Sequence, residues 1–178
     1  MIQSLINLRR RKQDGFSILE MMFATFILLI GLIAVAQLVP ASILMNNRNR
    51  TDTASLVYAQ RELDQMIQQP LTTFNISDAD LNPCTLGDST KPNQLVGSPV
   101  VIFQGQVQID YSVAPVANYS FMYPDPNDPG NTTYDVRWAV ITNMNGPVVT
   151  SKRFILGVRQ QGGNGYFQPV TLDTMVER

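Results

Sequence analysis

The chain has 178 residues, enough for one modest domain with an appendage, and no segment repeats at a fixed period. It contains no histidine, the commonest general base and metal ligand. Its formal net charge is -1, so the chain as a whole lacks the positive charge that attracts proteins to nucleic acid. Hydrophobic residues make up 44% and charged residues only 15% of the chain, an imbalance concentrated near the N-terminus. The composition therefore indicates one compact unit with a membrane segment.

The first fifteen residues form a basic segment. Four consecutive basic residues, Arg9 to Lys12, are opposed there only by Asp14. Without this segment the chain keeps nine basic and thirteen acidic residues, so the remainder is mildly acidic. We therefore expect no constitutive nucleic-acid binding.

A long apolar run follows the basic segment. Residues 16–45 contain one charged side chain, that of Glu20, and residues 21–39 contain none. A helix over residues 21–39 is about 28 Å long, roughly the hydrocarbon thickness of a bilayer. Only Arg48 and Arg50 follow closely, so the positive-inside rule places the N-terminus in the cytoplasm and the remaining residues outside.

Two cleavable export signals are weaker interpretations of this region. A secretory signal peptide also begins with basic residues, but its apolar core is shorter and is followed by a small-x-small cleavage site. The consecutive residues Arg9, Arg10 and Arg11 permit a twin-arginine signal, which would also end in a short cleavable core. The uninterrupted apolar run favours a retained membrane helix.

The order of features around Gly15 is distinctive. A basic segment is followed by Gly15, Phe16 and Glu20 in the string GFSILEMMFATFILLIGLIAVAQL. This pattern closely resembles the class III signal of type IV prepilins and type II secretion pseudopilins over about residues 9–40. Within that superfamily, the ILLIGLIAVAQL segment and the later YDVRWAV and SKRFILGVR strands resemble minor pilins of the PilV kind.

The resemblance implies a processing site. Residues 1–15 would be a cytoplasmic leader, and a prepilin peptidase would cut between Gly15 and Phe16 and methylate the new amino group of Phe16. A glycine before the cut permits close approach of the backbone to a protease. The apolar helix would stay on the mature protein.

Glu20 is the residue that hydrophobicity alone does not explain. An ionised carboxylate within a membrane helix costs about 2.5 to 3.5 kcal/mol on insertion scales. The resemblance implies that Glu20 pairs with the N-terminal amine of a neighbouring subunit during filament assembly. The alternative is that Glu20 only extends to the cytoplasmic headgroups.

The membrane helix is predicted to continue as an amphipathic one. Apolar residues recur at helical spacing, opposite a polar face. The apolar set is Leu56, Tyr58 or Ala59, Leu63, Met66 and Ile67, and the polar set is Arg48, Arg50, Asp52, Arg61, Glu62 and Asp64. Because Pro70 cannot continue a helix, we expect one spine helix over residues 16–69, with its transmembrane part at about 16–40.

Two residues inside the predicted helix can disturb it. Pro40 removes a backbone hydrogen bond and should kink or loosen the helix, and Gly31 permits close helix packing. Related proteins often carry a proline a few residues earlier, where this chain has Gln37. The alternative is ordinary tolerance of both residue types in membrane helices.

Residues 70–178 are predicted to form an extracytoplasmic head. Residues 71–94 indicate a loop region, and Cys84, the only cysteine, is interpreted as a buried free thiol that can form no intrachain disulfide. Strands are predicted over Val100 to Tyr111, Tyr134 to Thr142 and Val148 to Val158, with a turn at Asn145 to Pro147 and a short terminal strand around Phe167 to Leu172.

These elements predict an α+β, pilin-like fold. A three- to four-stranded antiparallel sheet is expected to pack its apolar face on the amphipathic half of the helix, since neither can bury its apolar surface alone.

The head offers few candidates for chemistry. The segment PDPNDPGN at 124–131 brings Asp125, Asn127 and Asp128 together, which permits calcium binding, but successive turns explain it better. Trp138 and Tyr134 are interpreted as sheet core rather than a base-stacking platform. Three basic side chains on strands are expected to be solvated: Lys152, Arg153 and Arg159.

No nucleophile, phosphate-binding or dinucleotide motif is present, so we expect no enzyme, no cofactor and no metal site.

The sequence thus favours a minor pilin, a structural and assembly subunit of a type IV pilus. The alternatives are a minor pseudopilin of a type II secretion system and a pilus-tip adhesin or DNA-uptake component. Expected partners are the prepilin peptidase, other pilins or pseudopilins, the inner-membrane assembly platform and, before assembly, membrane lipid. The expected location is the bacterial inner membrane, with a single pass, and the pilus after assembly.

Overall fold

The computed structural model describes residues 15–125, 132–161 and 169–177. Within these ranges the chain forms one helix and nine strands. They are α1 (Ile18–Ile67), β1 (Asn75–Ser77), β2 (Pro83–Thr85), β3 (Leu95–Gly97), β4 (Val100–Phe103), β5 (Gln106–Ile109), β6 (Ser120–Pro124), β7 (Thr133–Asn145), β8 (Val148–Gln161) and β9 (Val170–Glu177). The chain divides into two compact units after Asn46.

The first unit contains the apolar part of α1. Within its residues Ile18–Asn46 an 18-residue window has a mean hydropathy of 2.5, and none of these residues is buried. By length and composition this helix can cross a membrane. It extends six residues beyond the predicted transmembrane end at residue 40, and the helix continues through Pro40.

Helix α1 ends close to the predicted position. Its last residue is Ile67, two residues before the predicted end at Gln69. The N–H of Gln69 donates to the carbonyl of Met66 at 3.4 Å, which tightens the final turn before Pro70. The proline therefore marks the boundary, as its missing N–H predicts.

A five-stranded antiparallel sheet dominates the second unit. Its centre is the pair β7 and β8, and β9 adds to the outer edge of β8. Strands β6 and β3 both pair with the remaining edge of β7, β6 with residues 133–137 and β3 with residues 139–141. The α+β prediction is confirmed, and the sheet has one strand more than expected because β7 is long enough to pair with both.

The predicted strand from Val100 to Tyr111 is wrong. This segment forms a separate hairpin, in which Phe103 of β4 pairs with Gln106 of β5. The two intervening residues, Gln104 and Gly105, have φ angles of 51° and 79°. Two successive positive φ angles are typical of a tight hairpin turn, which a glutamine at the first position conceals in the sequence.

Other strand boundaries also differ from the predictions. Strands β7 and β8 are both longer than predicted, and they meet at a turn that contains Gly146 with φ 59°. The predicted loop at 71–94 contains the short β1–β2 hairpin. The terminal strand begins at Val170 rather than around Phe167, a residue that lies outside the described ranges.

The main core lies on one face of the five-stranded sheet. Alternate residues of β7 and β8 point into it, which confirms the period-two prediction. The second half of α1 covers this face, as predicted. The buried residues are Ala59, Leu63, Met66, Cys84, Leu86, Tyr134, Val136, Trp138, Val140, Phe154, Leu156 and Val158.

Two helix positions depart from the predicted amphipathic pattern. Leu56, assigned to the apolar stripe, is 38% exposed. Glu62, assigned to the polar face, is only 3% exposed. The buried carboxylate is therefore an exception that helical spacing does not reveal.

The β4–β5 hairpin covers the opposite face of the sheet. Ile109 packs there against Ala139 and Ile155 in a second, smaller core. The approach depends on Gly157, because a Cβ at this position would stand 2.9 Å from the side chain of Ile109 and from the hydroxyl of Tyr111. Strand β7 is therefore buried on both faces over most of its length.

Lys152 contradicts the expectation that the strand cations are solvated. Its side chain is 2% exposed, and Nζ donates to the carbonyl of Thr73 at 2.6 Å and lies 4.1 Å from the ring centroid of Phe74. Burial lowers the pKa of Lys152 from 10.5 to about 8. The charged form is thus penalised by desolvation, which one hydrogen bond and one aromatic face offset only in part.

We predict that Lys152 adds stability as pH rises from about 8 to 10.5, because the unfolded chain binds more protons than the folded one in that window. Below pH 8 the folded protein carries the full penalty of the buried charge. The free energy of unfolding of the wild type should therefore rise relative to that of Lys152→Met across this pH range, as measured by denaturant unfolding. Lys91→Met, a change at an exposed lysine, is the control, and equal behaviour of the two variants would contradict the assignment.

Candidate functional site

Residues 15–17 lead directly into α1. Ser17 caps the helix: its Oγ accepts from the N–H of Leu19 at 3.3 Å, and its carbonyl accepts from the N–H of Met21 at 3.1 Å. Apart from its two chain neighbours, no described residue has an atom within 4 Å of the place where a Cβ on Gly15 would stand. Packing among the described residues therefore gives no reason for a glycine at position 15.

Glu20 lies in the first turn of α1 with an exposed side chain. A carboxylate there interacts favourably with the positive end of the helix dipole. The spacing of Ser17 and Glu20 is also that of a capping box, a local signal in the string SILE that the sequence analysis missed. Among the described residues Glu20 forms no salt bridge, so the carboxylate is open to an external partner.

The surface after Glu20 is apolar on every side. Nineteen large hydrophobic side chains between Phe16 and Met45 are 51% to 82% exposed. Soluble proteins rarely expose a continuous apolar surface of this kind, which marks contact with a membrane or another protein. Because a helix that is hydrophobic all round needs an apolar environment, the arrangement is suited to lipid contact or helix packing rather than to catalysis.

A second polar cluster lies in the sheet and is built around Asp135. Arg137 donates to both oxygens of this carboxylate at 2.9 and 2.8 Å, and Gln161 adds a hydrogen bond at 3.0 Å. Arg159, whose side chain is 28% exposed, approaches the same carboxylate at 3.7 Å, so it is ion-paired and only partly solvated, which corrects the expectation that it is solvated. The ring of Tyr111 covers both guanidinium groups, with centroid distances of 4.8 and 4.5 Å.

The charged and polar side chains of this cluster are hydrogen-bonded or ion-paired to one another. Arg137 also donates to the carbonyl of Val113 at 2.7 Å, and burial raises the pKa of Tyr111 well above its ordinary value. With the ions already paired, the cluster fixes sheet geometry instead of offering a reactive group.

Two of the remaining candidate residues, Trp138 and Cys84, lie in the core. Trp138 is fully buried and its indole N–H donates to the carbonyl of Thr85 at 3.0 Å, which confirms the core interpretation. Cys84 is a buried free thiol, as interpreted, and burial raises its pKa to about 12.

In the possible calcium segment at 124–131, Asn127 and Asp128 lie outside the described residues.

Three carboxylates form a group that the sequence analysis did not single out: Glu62 on α1, and Asp78 and Asp80 between β1 and β2. The string DADLN at 78–82 places acidic or amide side chains at alternate positions, a spacing common in calcium loops. That local signal identifies the loop, whereas only the fold adds Glu62 to it.

We predict that Arg137→Met destabilises the folded chain by about 3 to 5 kcal/mol, because Asp135 is left as a buried charge without its main partner. Arg153→Met is the matched control, since Arg153 pairs with Asp173 at an exposed position, where loss of the pair costs at most about 1 kcal/mol. Denaturant unfolding measures both, and equal losses would contradict the structural role of the buried pair.

Residues 10–36 match the family model described as the prokaryotic N-terminal methylation motif. The matched residues include Gly15, Phe16 and Glu20 and the first half of the apolar helix. Neither a curated protein nor a solved structure matches the chain.

Proposed function

The methylation motif indicates a type IV pilin or pseudopilin, and we propose that the chain is a minor pilin, a structural subunit of a type IV pilus. The single observation that carries the proposal is the position of Glu20, the one charged side chain in an exposed apolar helix that directly follows the motif's glycine. A chain of this design does its work by packing. The PilV-type minor pilins remain the subgroup that the sequence resembles.

The first step of the proposed function is processing. A prepilin peptidase would cut between Gly15 and Phe16 and methylate the amine of Phe16. Residues 15–17 have no helical or strand structure, and Phe16 is 82% exposed, so this peptide bond is accessible. The glycine leaves room for the peptidase at a position where the chain itself needs no glycine.

The second step is assembly. In lipid, the carboxylate of Glu20 costs about 2.5 to 3.5 kcal/mol on insertion scales if it lies at depth. The amine of Phe16 on a neighbouring subunit keeps its positive charge after methylation and would offset that cost. The pair would also fix the axial offset between two helices that are otherwise uniformly apolar.

The proposed location follows from the same segment. The basic residues from Arg9 to Lys12 favour a cytoplasmic N-terminus, with one pass through the inner membrane and the sheet-containing unit outside. The proposed partners are the prepilin peptidase, sister pilins and the assembly platform. A minor pseudopilin of a type II secretion system is the second candidate, because the matched motif is common to both classes of subunit.

We predict that mass spectrometry of the protein extracted from cells with an active prepilin peptidase shows loss of residues 1–15 and a methyl group on Phe16. Gly15→Val should abolish both changes, since the side chain blocks the backbone from the peptidase. Gly31→Ala is the matched control, because it also alters an open glycine position and should leave processing intact. An intact N-terminus in the wild type would refute the proposal.

A further inference from the structure

The three carboxylates on α1 and the β1–β2 loop are close enough to share one ion. One oxygen from each of Glu62, Asp78 and Asp80 lies within 4.8 Å of the other two. Oxygens on opposite sides of a calcium ion stand about 4.8 Å apart, because calcium–oxygen distances are about 2.3 to 2.6 Å. Magnesium has shorter bonds, of about 2.0 to 2.1 Å, and demands near-ideal octahedral geometry.

Glu62 supplies an independent sign that a partner belongs here. Its side chain is 3% exposed, and its Oε2 is buried without a hydrogen-bond partner among the described residues. A buried carboxylate oxygen is normally hydrogen-bonded, ion-paired or bound to a metal, since an unpaired charge in the interior is costly. The carboxylate also has the charges of Asp78 and Asp80 close by.

The local charges are not balanced by the protein alone. Arg61 is the nearby cation: its Nε lies 3.3 Å from Oε1 of Glu62, and its Nη2 pairs with Asp80. When all four groups are ionised, the one guanidinium and three carboxylates together have two negative charges in excess. Desolvation, opposed by Arg61 but reinforced by the two aspartates, raises the pKa of Glu62 from 4.5 to about 7. A divalent cation has the charge that would balance the group.

The loop that carries the aspartates is held in place before any ion binds. Asp78 accepts hydrogen bonds from the backbone N–H groups of Asp80 and Asn82 at 3.0 and 2.7 Å, and from the side chain of Asn82 at 2.8 Å. Gln65 on α1 accepts from the N–H of Ala79 at 3.2 Å. Little ordering of the chain is therefore needed on binding.

The donor set favours a hard cation. The ligands are oxygens, which calcium prefers, and the described chain contains no histidine that would favour zinc. Cys84 lies nearby, with its Sγ 3.5 Å from the carbonyl of Asn82, but it is not one of the three grouped ligands.

We propose that Glu62, Asp78 and Asp80 form a calcium-binding site that fastens the β1–β2 loop to the second half of α1. Water completes the coordination shell, and Arg61 remains as a counter-charge to Glu62 and Asp80.

The test is calorimetric titration of the full chain in detergent micelles, stripped with chelator and titrated with calcium chloride to about 10 mM, above the range of weak extracellular sites. The wild type should bind one calcium per chain. Glu62→Gln and Asp78→Asn should each weaken binding at least about tenfold, as loss of a charged ligand predicts. Asp64→Asn, an exposed change on the same helix with the same loss of charge, should bind like the wild type.

Thermal unfolding of the same proteins provides a second measurement. Calcium at 100-fold above the wild-type dissociation constant should shift the folding equilibrium of the wild type and Asp64→Asn about 100-fold towards the folded state, and should shift that of Glu62→Gln by about tenfold at most. Glu62→Gln should fold without calcium, because an amide of the same shape removes the buried charge. Three outcomes would overturn the proposal: no saturable binding by the wild type, equal binding by Glu62→Gln and Asp64→Asn, or tighter binding of magnesium or zinc than of calcium.

Discussion

The apolar surface of residues 18–46 is the constraint on which the biology of this protein depends. None of these residues is buried, and water cannot solvate the surface without a large free-energy penalty. Lipid satisfies it for a single chain, and the apolar helices of other subunits satisfy it equally well. Hydrophobicity therefore keeps the helix out of water but does not fix its neighbours. In the function we propose, the carboxylate of Glu20 near the helix start distinguishes one register from another.

The second unit buries its apolar surface against other parts of the same unit. Helix α1 covers one face of the sheet and the β4–β5 hairpin covers the other, so strand β7 is almost continuously buried. Charged groups that fall inside this arrangement need internal partners. Asp135 has Arg137, and Lys152 has a backbone carbonyl and an aromatic ring. Glu62 keeps one oxygen without a partner among the described residues, which is why it points to a ligand.

Much of this organisation is predictable from local patterns. The apolar run, the glycine-to-glutamate spacing and the alternation of Tyr134, Val136 and Trp138 each reflect one physical period, and each identifies its element. The parts that sequence did not predict depend on contacts between distant segments. Pairing of β3 and β6 along one edge of β7, the burial of Lys152 and the convergence of Glu62 with Asp78 require the folded chain. The hairpin turn at Gln104 lacked the usual asparagine or aspartate signal.

We propose that Glu20 is an assembly residue rather than a membrane-surface residue. The most direct measurement is the fraction of mature protein recovered in sheared filaments, compared with the fraction left in the membrane, for the wild type, Glu20→Ala and Asp52→Ala. Asp52 is an exposed acidic residue on the same helix and serves as the charge-matched control. The account predicts that Glu20→Ala is processed normally but is at least about tenfold depleted from filaments, as expected when a carboxylate pair of about 1.4 kcal/mol or more is lost. Incorporation of Glu20→Ala at the level of the wild type and the control would contradict it.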